Sequence, residues 1–228
     1  MKVVILCAGY ATRLYPITLD QPKALLEYKG KKILDYLIED LNHPLIHEII
    51  LVSNHKYYSL FSDYSKGKNI RVIDDGSTCS ENRLGAGNDL LLGIKDIDED
   101  TLVMACDNLL DFSLSCFINF FYEDRRSSIM FYKECDEEKL KQTGQVILLK
   151  DQVIGFKEKP KTAVSVYAVP PFYIFNRKDI NEIKKLKGHY ESLGNILEEV
   201  VGVIQMKAYP MNGNRLDLGS SKVCKSNS

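Results

Sequence analysis

The chain has 228 residues and almost no surplus of charge: thirty Lys and Arg oppose thirty-one Asp and Glu, a formal net charge of -1. Without a basic excess there is no electrostatic footprint for nucleic acid, so none is expected as a partner. A local pocket of two or three cations for a small phosphate ligand remains compatible with that balance. Long apolar runs are missing too. The run from Val3 to Ala8 falls far short of the ~20 residues of a membrane span, so no membrane partner is expected. Lys2 precedes only six apolar residues before Gly9, which is not a secretory signal, and the cytoplasm is the expected compartment. The six cysteines (Cys7, Cys79, Cys106, Cys116, Cys135 and Cys224) contain no Cys-x-x-Cys pair, which argues against zinc. Four or five of them are expected as small core or half-buried residues, without disulfides. Repeats, low-complexity stretches and long linkers are absent. His43, His47, His55 and His189 are scattered and read as surface residues, and no Ser-His-Asp or Cys-His set stands out. Oligomeric state is not legible.

What the sequence does contain is alternation. Val3-Val4-Ile5-Leu6 is continuously apolar, as a strand buried on both faces of a parallel sheet should be. A stripe at Ile33, Leu34, Leu37, Ile38 and Leu41 predicts a helix ending near Pro44. Further strands are predicted at 48–52, 70–73, 102–105 and 129–132, with helices at about 86–94 and 114–121. The second half changes character. Val146 to Leu149 and Val153 to Phe156 flank Lys150-Asp151-Gln152 as a hairpin. Tyr173 to Phe175 and Ile204 to Tyr209 are strands, and Leu193 to Val201 is a helical face. The expected fold is one α/β domain over 1–228. It has a mostly parallel sheet with helices on both faces and antiparallel strands added late.

Several segments at predicted strand ends carry chemistry. After the first strand comes Ala8-Gly9-Tyr10-Ala11-Thr12-Arg13-Leu14-Tyr15-Pro16, then Pro22-Lys23. This is the carboxyl end, where open α/β sheets bind ligands, and Arg13 and Lys23 supply two cations to it. The loop has neither the third glycine of a dinucleotide fingerprint nor a Walker pattern. Taken alone it reads equally well as an ordinary loop with solvated cations. Cys106-Asp107-Asn108 follows the fourth strand of this core, Phe156-Lys157-Glu158-Lys159-Pro160 ends the hairpin, and Arg215-Leu216-Asp217-Leu218-Gly219-Ser220 lies near the end. A helix cap, a solvated turn and a Gly turn are the respective structural readings.

Together these segments resemble the sugar-1-phosphate nucleotidyltransferases, the nucleoside-diphosphate-sugar pyrophosphorylases. Ala8-Gly9, Thr12-Arg13-Leu14, Pro16, Thr18 and Pro22-Lys23 match the family's Leu-Ala-Ala-Gly-x-Gly-Thr-Arg-Leu-x-Pro-x-Thr and Pro-Lys, with Ala11 in place of the second glycine. Asp107 matches the acid of Gly-Asp-Asn, Thr143-Gly144-Gln145 and Glu158-Lys159-Pro160 match Tyr-Gly-Val and Glu-Lys-Pro, and Asp217 matches the acid of Trp-x-Asp-x-Gly-Thr. Arg83-Leu84-Gly85-Ala86 resembles the turn beside the base more weakly. Where many members carry a base-reading Gln, this chain has Ser80 followed by Glu81.

The resemblance implies a Rossmann-like, GT-A-like fold, with a nucleotide-binding part at about 1–110 and an acceptor-binding part at about 111–222. It implies that a nucleoside triphosphate and a sugar 1-phosphate, or a similar small phosphate, give an NDP-sugar and pyrophosphate by in-line attack at the α-phosphorus. Under that implication Asp107 and Asp217 hold Mg²⁺, while Ala8, Gly9, Gly85 and Asp107 meet the nucleotide. Arg13, Lys23 and Lys159 neutralise phosphates, and Gly144, Glu158 and Lys159 meet the acceptor. The nucleobase and the acceptor stay open. Two other readings compete. A GT-A glycosyltransferase would want Asp-x-Asp, where this chain has Asp107-Asn108-Leu109. A regulatory protein that kept the fold and lost the chemistry is favoured slightly by Ala11 and Ser80.

Overall fold

The computed structural model describes residues 1–218. Its strands are β1 Lys2–Leu6, β2 Glu27–Tyr28, β3 Lys31–Lys32, β4 Glu48–Ser53, β5 Ile70–Asp74, β6 Thr101–Ala105 and β7 Asn108–Leu110, followed by β8 Ser127–Lys133, β9 Gly144–Leu149, β10 Gln152–Lys157, β11 Tyr167–Val169, β12 Phe172–Phe175, β13 Met206–Pro210 and β14 Arg215–Asp217. The helices are α1 Ile33–Asp40, α2 Tyr58–Ser65, α3 Ala86–Ile94, α4 Ser115–Tyr122, α5 Glu137–Leu140, α6 Arg177–Ile183 and α7 Leu193–Val200.

One ten-stranded sheet runs β11-β9-β10-β13-β8-β12-β6-β1-β4-β5. The sheet is mixed, with helices on both faces and antiparallel strands added late, as expected, but it is not mostly parallel: antiparallel pairs outnumber parallel ones among the described residues, and the two kinds are segregated. β6, β1, β4 and β5 are mutually parallel. β12 joins antiparallel to both β6 and β8, and beyond it the only parallel pair among the described residues is β13 with β8. The hairpin predicted around residues 150–152 is β9–β10, with Lys150 at φ 59° in its turn.

Alternation along β1 sends its side chains to opposite faces. Val3 and Ile5 join a core with α1, α2 and α4 through Leu34, Leu37, Phe61 and Phe117. Val4 and Leu6 join a second core with α3, α6 and α7 through Leu90, Ile94, Ile180 and Ile196. Both faces of β1 are therefore dry, which is why its sequence reads as a continuous apolar run. Tyr57 and Phe121 are fully buried packing residues.

Three details differ from the sequence reading. The last predicted strand begins at Met206, because Val203 and Ile204 close the turn after α7 with N–H bonds to the Val200 carbonyl. The short ribbon β7–β14 was not anticipated, since three-residue strands carry too little periodicity. Cysteine burial was overestimated: Cys7 is buried and Cys106 half-buried, but Cys79, Cys116 and Cys135 are exposed. These five are free thiols, and Cys224 lies outside the described residues. No helix among the described residues is long and apolar enough to cross a membrane.

Candidate active site

The order of the parallel strands creates the site. From β1 the chain moves outward to β4 and β5, then returns to place β6 on the other side of β1. The connections from β1 and β6 lead toward opposite edges of the sheet, β1 to β4 and β6 to β8 beyond β12, so a crevice opens beyond their carboxyl ends. Leu6 and Ala105 are register partners at that edge, and the Cys106 N–H donates to the Leu6 carbonyl at 3.2 Å. Ala8-Gly9 and Cys106-Asp107 therefore emerge side by side. They line a cavity of about 330 Å³ together with Lys23, Gly85 and Asp89.

The loop after β1 is held from beneath. Buried Asn54 donates from Nδ2 to the Ala8 carbonyl at 2.9 Å. Ala11 takes φ 48° and ψ 42°, the left-handed conformation that its replacement of glycine made costly. Its carbonyl accepts from the Leu14 N–H and from buried Thr18 Oγ1, each at 2.9 Å, and these bonds hold the strained residue in place. Gly9 has open space where a Cβ would stand, so packing does not require glycine there.

Lys23 and Asp107, 84 residues apart, form an ion pair at 2.9 Å between Nζ and Oδ2. The lysine side chain is 9% exposed and the aspartate side chain 33%. Asn108 Nδ2 donates to the other carboxylate oxygen at 2.6 Å. Asp107 is thereby fixed in orientation while keeping an open side.

The β7–β14 ribbon brings in the second acid. Asp217 pairs with Asn108, and the Leu218 N–H donates to the Asp107 carbonyl at 2.9 Å. The two acids thus stand at neighbouring positions of one ribbon, 110 residues apart in sequence. Asp217 does not line that cavity. Among the described residues no group of three or more His, Cys, Asp or Glu is gathered for a metal. Two carboxylates completed by ligand phosphates are nonetheless a usual donor set for Mg²⁺, so the residues fit that ion. Gly219 and Ser220 of the same motif lie outside the described residues.

Gly85 opens α3 at φ 92°, and a Cβ there would stand 2.8 Å from the Glu191 Cα. Both conformation and space require glycine, which explains the turn read from the sequence. Ser80 sits on an exposed turn, where its hydroxyl donates to Glu81 Oε1 at 2.8 Å, and it does not line the cavity. Arg13 is exposed on the Thr12–Leu14 turn, forms no hydrogen bond or ion pair with the described residues, and is not in the cavity wall.

Gly144, Glu158 and Lys159 gather apart from the cavity. A Cβ on Gly144 would stand 2.9 Å from Glu158 Oε2, and one on Gly194, at the start of α7, only 1.9 Å from it. Lys159 has φ 43° and a 58% exposed side chain whose Nζ lies 3.5 Å from Glu158 Oε1. Buried Tyr173 lies near Glu158, and burial first, then the Glu158 charge, pushes its hydroxyl pKa up. Arg215 donates to Asn108 Oδ1 at 2.6 Å and to the Tyr132 hydroxyl at 3.3 Å. Gly194, Tyr173 and Tyr132 were missed by sequence reasoning, because no local pattern marks residues that converge only through the sheet.

Asp89 was missed as well. It is 5% exposed inside α3, and its carboxyl pKa is pushed up to about 8 by burial first and then by Asp75. An Asp in the first turn of a helix reads as dipole compensation, which hid it.

A nucleotidyl transferase family model matches residues 2–223. The chain belongs to the nucleotidyl transferase family. Within that family it is 26% identical over 230 residues to the UTP–glucose-1-phosphate uridylyltransferase AglF of Haloferax volcanii, covering 96% of this chain and 91% of that one. It is 51% identical over 55 residues to the CTP:phosphoglutamine cytidylyltransferase of Campylobacter jejuni, covering 24% of this chain and 22% of that one. A solved Bacillus anthracis structure described as a putative glucose-1-phosphate thymidylyltransferase shares the fold at TM-score 0.84 and 20% identity, covering 98% of this chain and 92% of that one. The chain spans about half the length of several archaeal relatives that it matches.

Proposed function

We propose that this family member transfers a nucleotidyl group from a nucleoside triphosphate to the phosphate of a small acceptor, a sugar 1-phosphate or a similar compound. An acceptor phosphate oxygen attacks the α-phosphorus, the bond from that phosphorus to the β-phosphate bridging oxygen breaks, and pyrophosphate leaves. The observation that carries the reading is the Lys23–Asp107 pair beside Gly9, in a cavity at the switch point of β1 and β6.

Joining two anions makes repulsion and leaving-group charge the main barriers, so the protein's task is to position and neutralise. Backbone at Ala8 and Gly9 approaches the triphosphate without a side chain in the way. Lys23, held against Asp107, places a compact positive charge at the α-phosphate. Arg13, unpartnered on its turn, is placed to follow the β- and γ-phosphates as charge builds on pyrophosphate. Glu158, set over Gly144 and Gly194, binds acceptor hydroxyls, and Lys159 meets the acceptor phosphate. Asp107 and Asp217 would hold Mg²⁺. That ion, when bound, would draw charge from the α-phosphate and from the attacking oxygen. The relatives' printed names span more than one nucleobase and acceptor, so neither is taken from the family.

A pyrophosphate-release screen of nucleoside triphosphates against phosphate acceptors, with Mg²⁺, tests this. At least one pair should release pyrophosphate and leave a nucleotide joined to the acceptor. Nucleotide binding with no release from any pair would favour the regulatory reading instead.

A further inference from the structure

The cavity wall contains a buried acid that the transfer chemistry does not use. Asp89 lines the cavity and is 5% exposed, and its Oδ1 is a buried side-chain oxygen with no hydrogen-bond partner. Buried polar atoms are nearly always paired, so a lone one in a ligand cavity points to a group supplied by the ligand.

Its surroundings fix what that group must be. Asp89 meets the carboxyl of Asp75 at hydrogen-bonding range. Asp75 is already committed as an acceptor: the Ser77 N–H donates to Oδ1 at 2.6 Å and the Ser77 hydroxyl to Oδ2 at 3.0 Å. The Tyr10 hydroxyl, next to Gly9, lies 3.2 Å from Ser77 Oγ and anchors this network to the phosphate-side loop. Two carboxyls in contact, Asp89 buried and Asp75 half-buried, favour holding one proton between them. Burial, the Asp75 charge and, more weakly, the Glu191 charge favour keeping it on Asp89. With that proton held in the contact with Asp75, the unpartnered Oδ1 is an acceptor.

We infer that Asp89, braced by Asp75, accepts a hydrogen bond from the exocyclic amino group of the bound nucleobase and so selects amino-bearing bases over uracil and thymine. Cytosine and uracil differ at one edge position, amino against carbonyl oxygen. The amino group satisfies Oδ1, whereas the carbonyl sets oxygen against oxygen. This rests on the nucleotidyl-transfer reading for the identity of the cavity's ligand. It also assigns base selection to α3, because Ser80 does not line the cavity and its hydroxyl is bonded to Glu81.

The test measures binding of CTP, ATP, GTP, UTP and dTTP to the whole protein by calorimetry, and then pyrophosphate release with each. The wild type should bind CTP more tightly than UTP by on the order of 10- to 100-fold. ATP and GTP show whether any amino-bearing base suffices or only cytosine. Asp89→Asn keeps an oxygen at Oδ1 and donates to Asp75 from its amide, so it should retain the preference. Asp89→Ala should bring CTP and UTP within about threefold. Wild-type preference for UTP or dTTP would overturn the inference, as would Asp89→Ala keeping the wild-type ratio. The wild-type comparison decides even if the alanine variant does not fold. Amino-selective binding without pyrophosphate release would sink the transfer reading and leave the base selector standing. Release from UTP in preference to CTP would do the reverse.

Discussion

The two halves of the sheet solve different problems. Under the proposed transfer, the parallel half, β6-β1-β4-β5, would handle phosphate with loops: short segments after β1 and β6 lie side by side because their strands do, and backbone at Ala8 and Gly9 faces an open cavity. The antiparallel half would handle the acceptor with side chains. Glu158 comes from the end of the β9–β10 hairpin, Gly144 from β9, Gly194 from α7 and Tyr173 from β12, and the glutamate fills the space that two glycines leave free. Chemistry common to a family can reside in strand-end loops, where geometry follows from topology. Selectivity needs contacts from distant segments, which can vary one side chain at a time.

The largest effect that would sharpen this contrast is loss of a charged group on the phosphate side. Asp107→Asn should keep the fold, read by circular dichroism, and lower kcat at saturating Mg²⁺ by at least on the order of 10²–10³. Near-wild-type turnover would remove Asp107 from the mechanism. On the acceptor side, Gly194→Ala places a methyl where the Glu158 carboxylate now sits, 1.9 Å from Oε2, and forces that carboxylate aside. Such misplacement should reduce kcat/KM for the acceptor roughly 10²-fold with the nucleotide KM unchanged. Equal damage to both substrates would erase the division between halves.

A pH effect comes next. Asp89 has a folded pKa of about 8 against about 4 unfolded. The folded state therefore holds a proton that the unfolded state releases across that window. This group's penalty is absent below about pH 4, grows as pH rises and is complete above about pH 8. Melting temperature should fall from pH 5 to pH 9 in the wild type, and Asp89→Asn should flatten part of that slope. The smallest effect is at Ala11. Glycine there relieves about 1–2 kcal/mol of left-handed strain but adds about 0.4–1 kcal/mol of unfolded-state freedom. Ala11→Gly should therefore stabilise by about 0.5–1 kcal/mol and raise Tm by about 2 °C. A fall in Tm would show that Thr18 and Leu14 do not hold a strained residue.

The same contrast explains how much the sequence revealed. β1, β4, β5 and β6 announce themselves as apolar runs because they are buried strands, and the glycine and cation pattern after β1 lies within twenty residues. Gly85 was legible as part of a turn and Ala11 as a residue standing in place of a glycine, and the structure adds the positive φ of both. Asp89 was not, because only its burial against Asp75, fourteen residues earlier on another element, turns a helix-start acid into an unpaired acceptor. Asp217 was legible through its motif, yet its place beside Asp107 depends on a three-residue ribbon with no periodicity to read. Cysteine burial failed for a related reason: Cys79, Cys116 and Cys135 lie on segments whose exposed side only packing defines.

The central claim is that two acids 110 residues apart in the chain serve one divalent ion beside the Lys23 cavity. Crystals grown with Mn²⁺ and a nucleoside triphosphate, read by anomalous diffraction, test it most directly. The account predicts one Mn²⁺ peak within coordination distance of both Asp107 and Asp217 and of the α-phosphate. A peak bound to only one of those carboxylates, or located elsewhere with the triphosphate in the cavity, would contradict it.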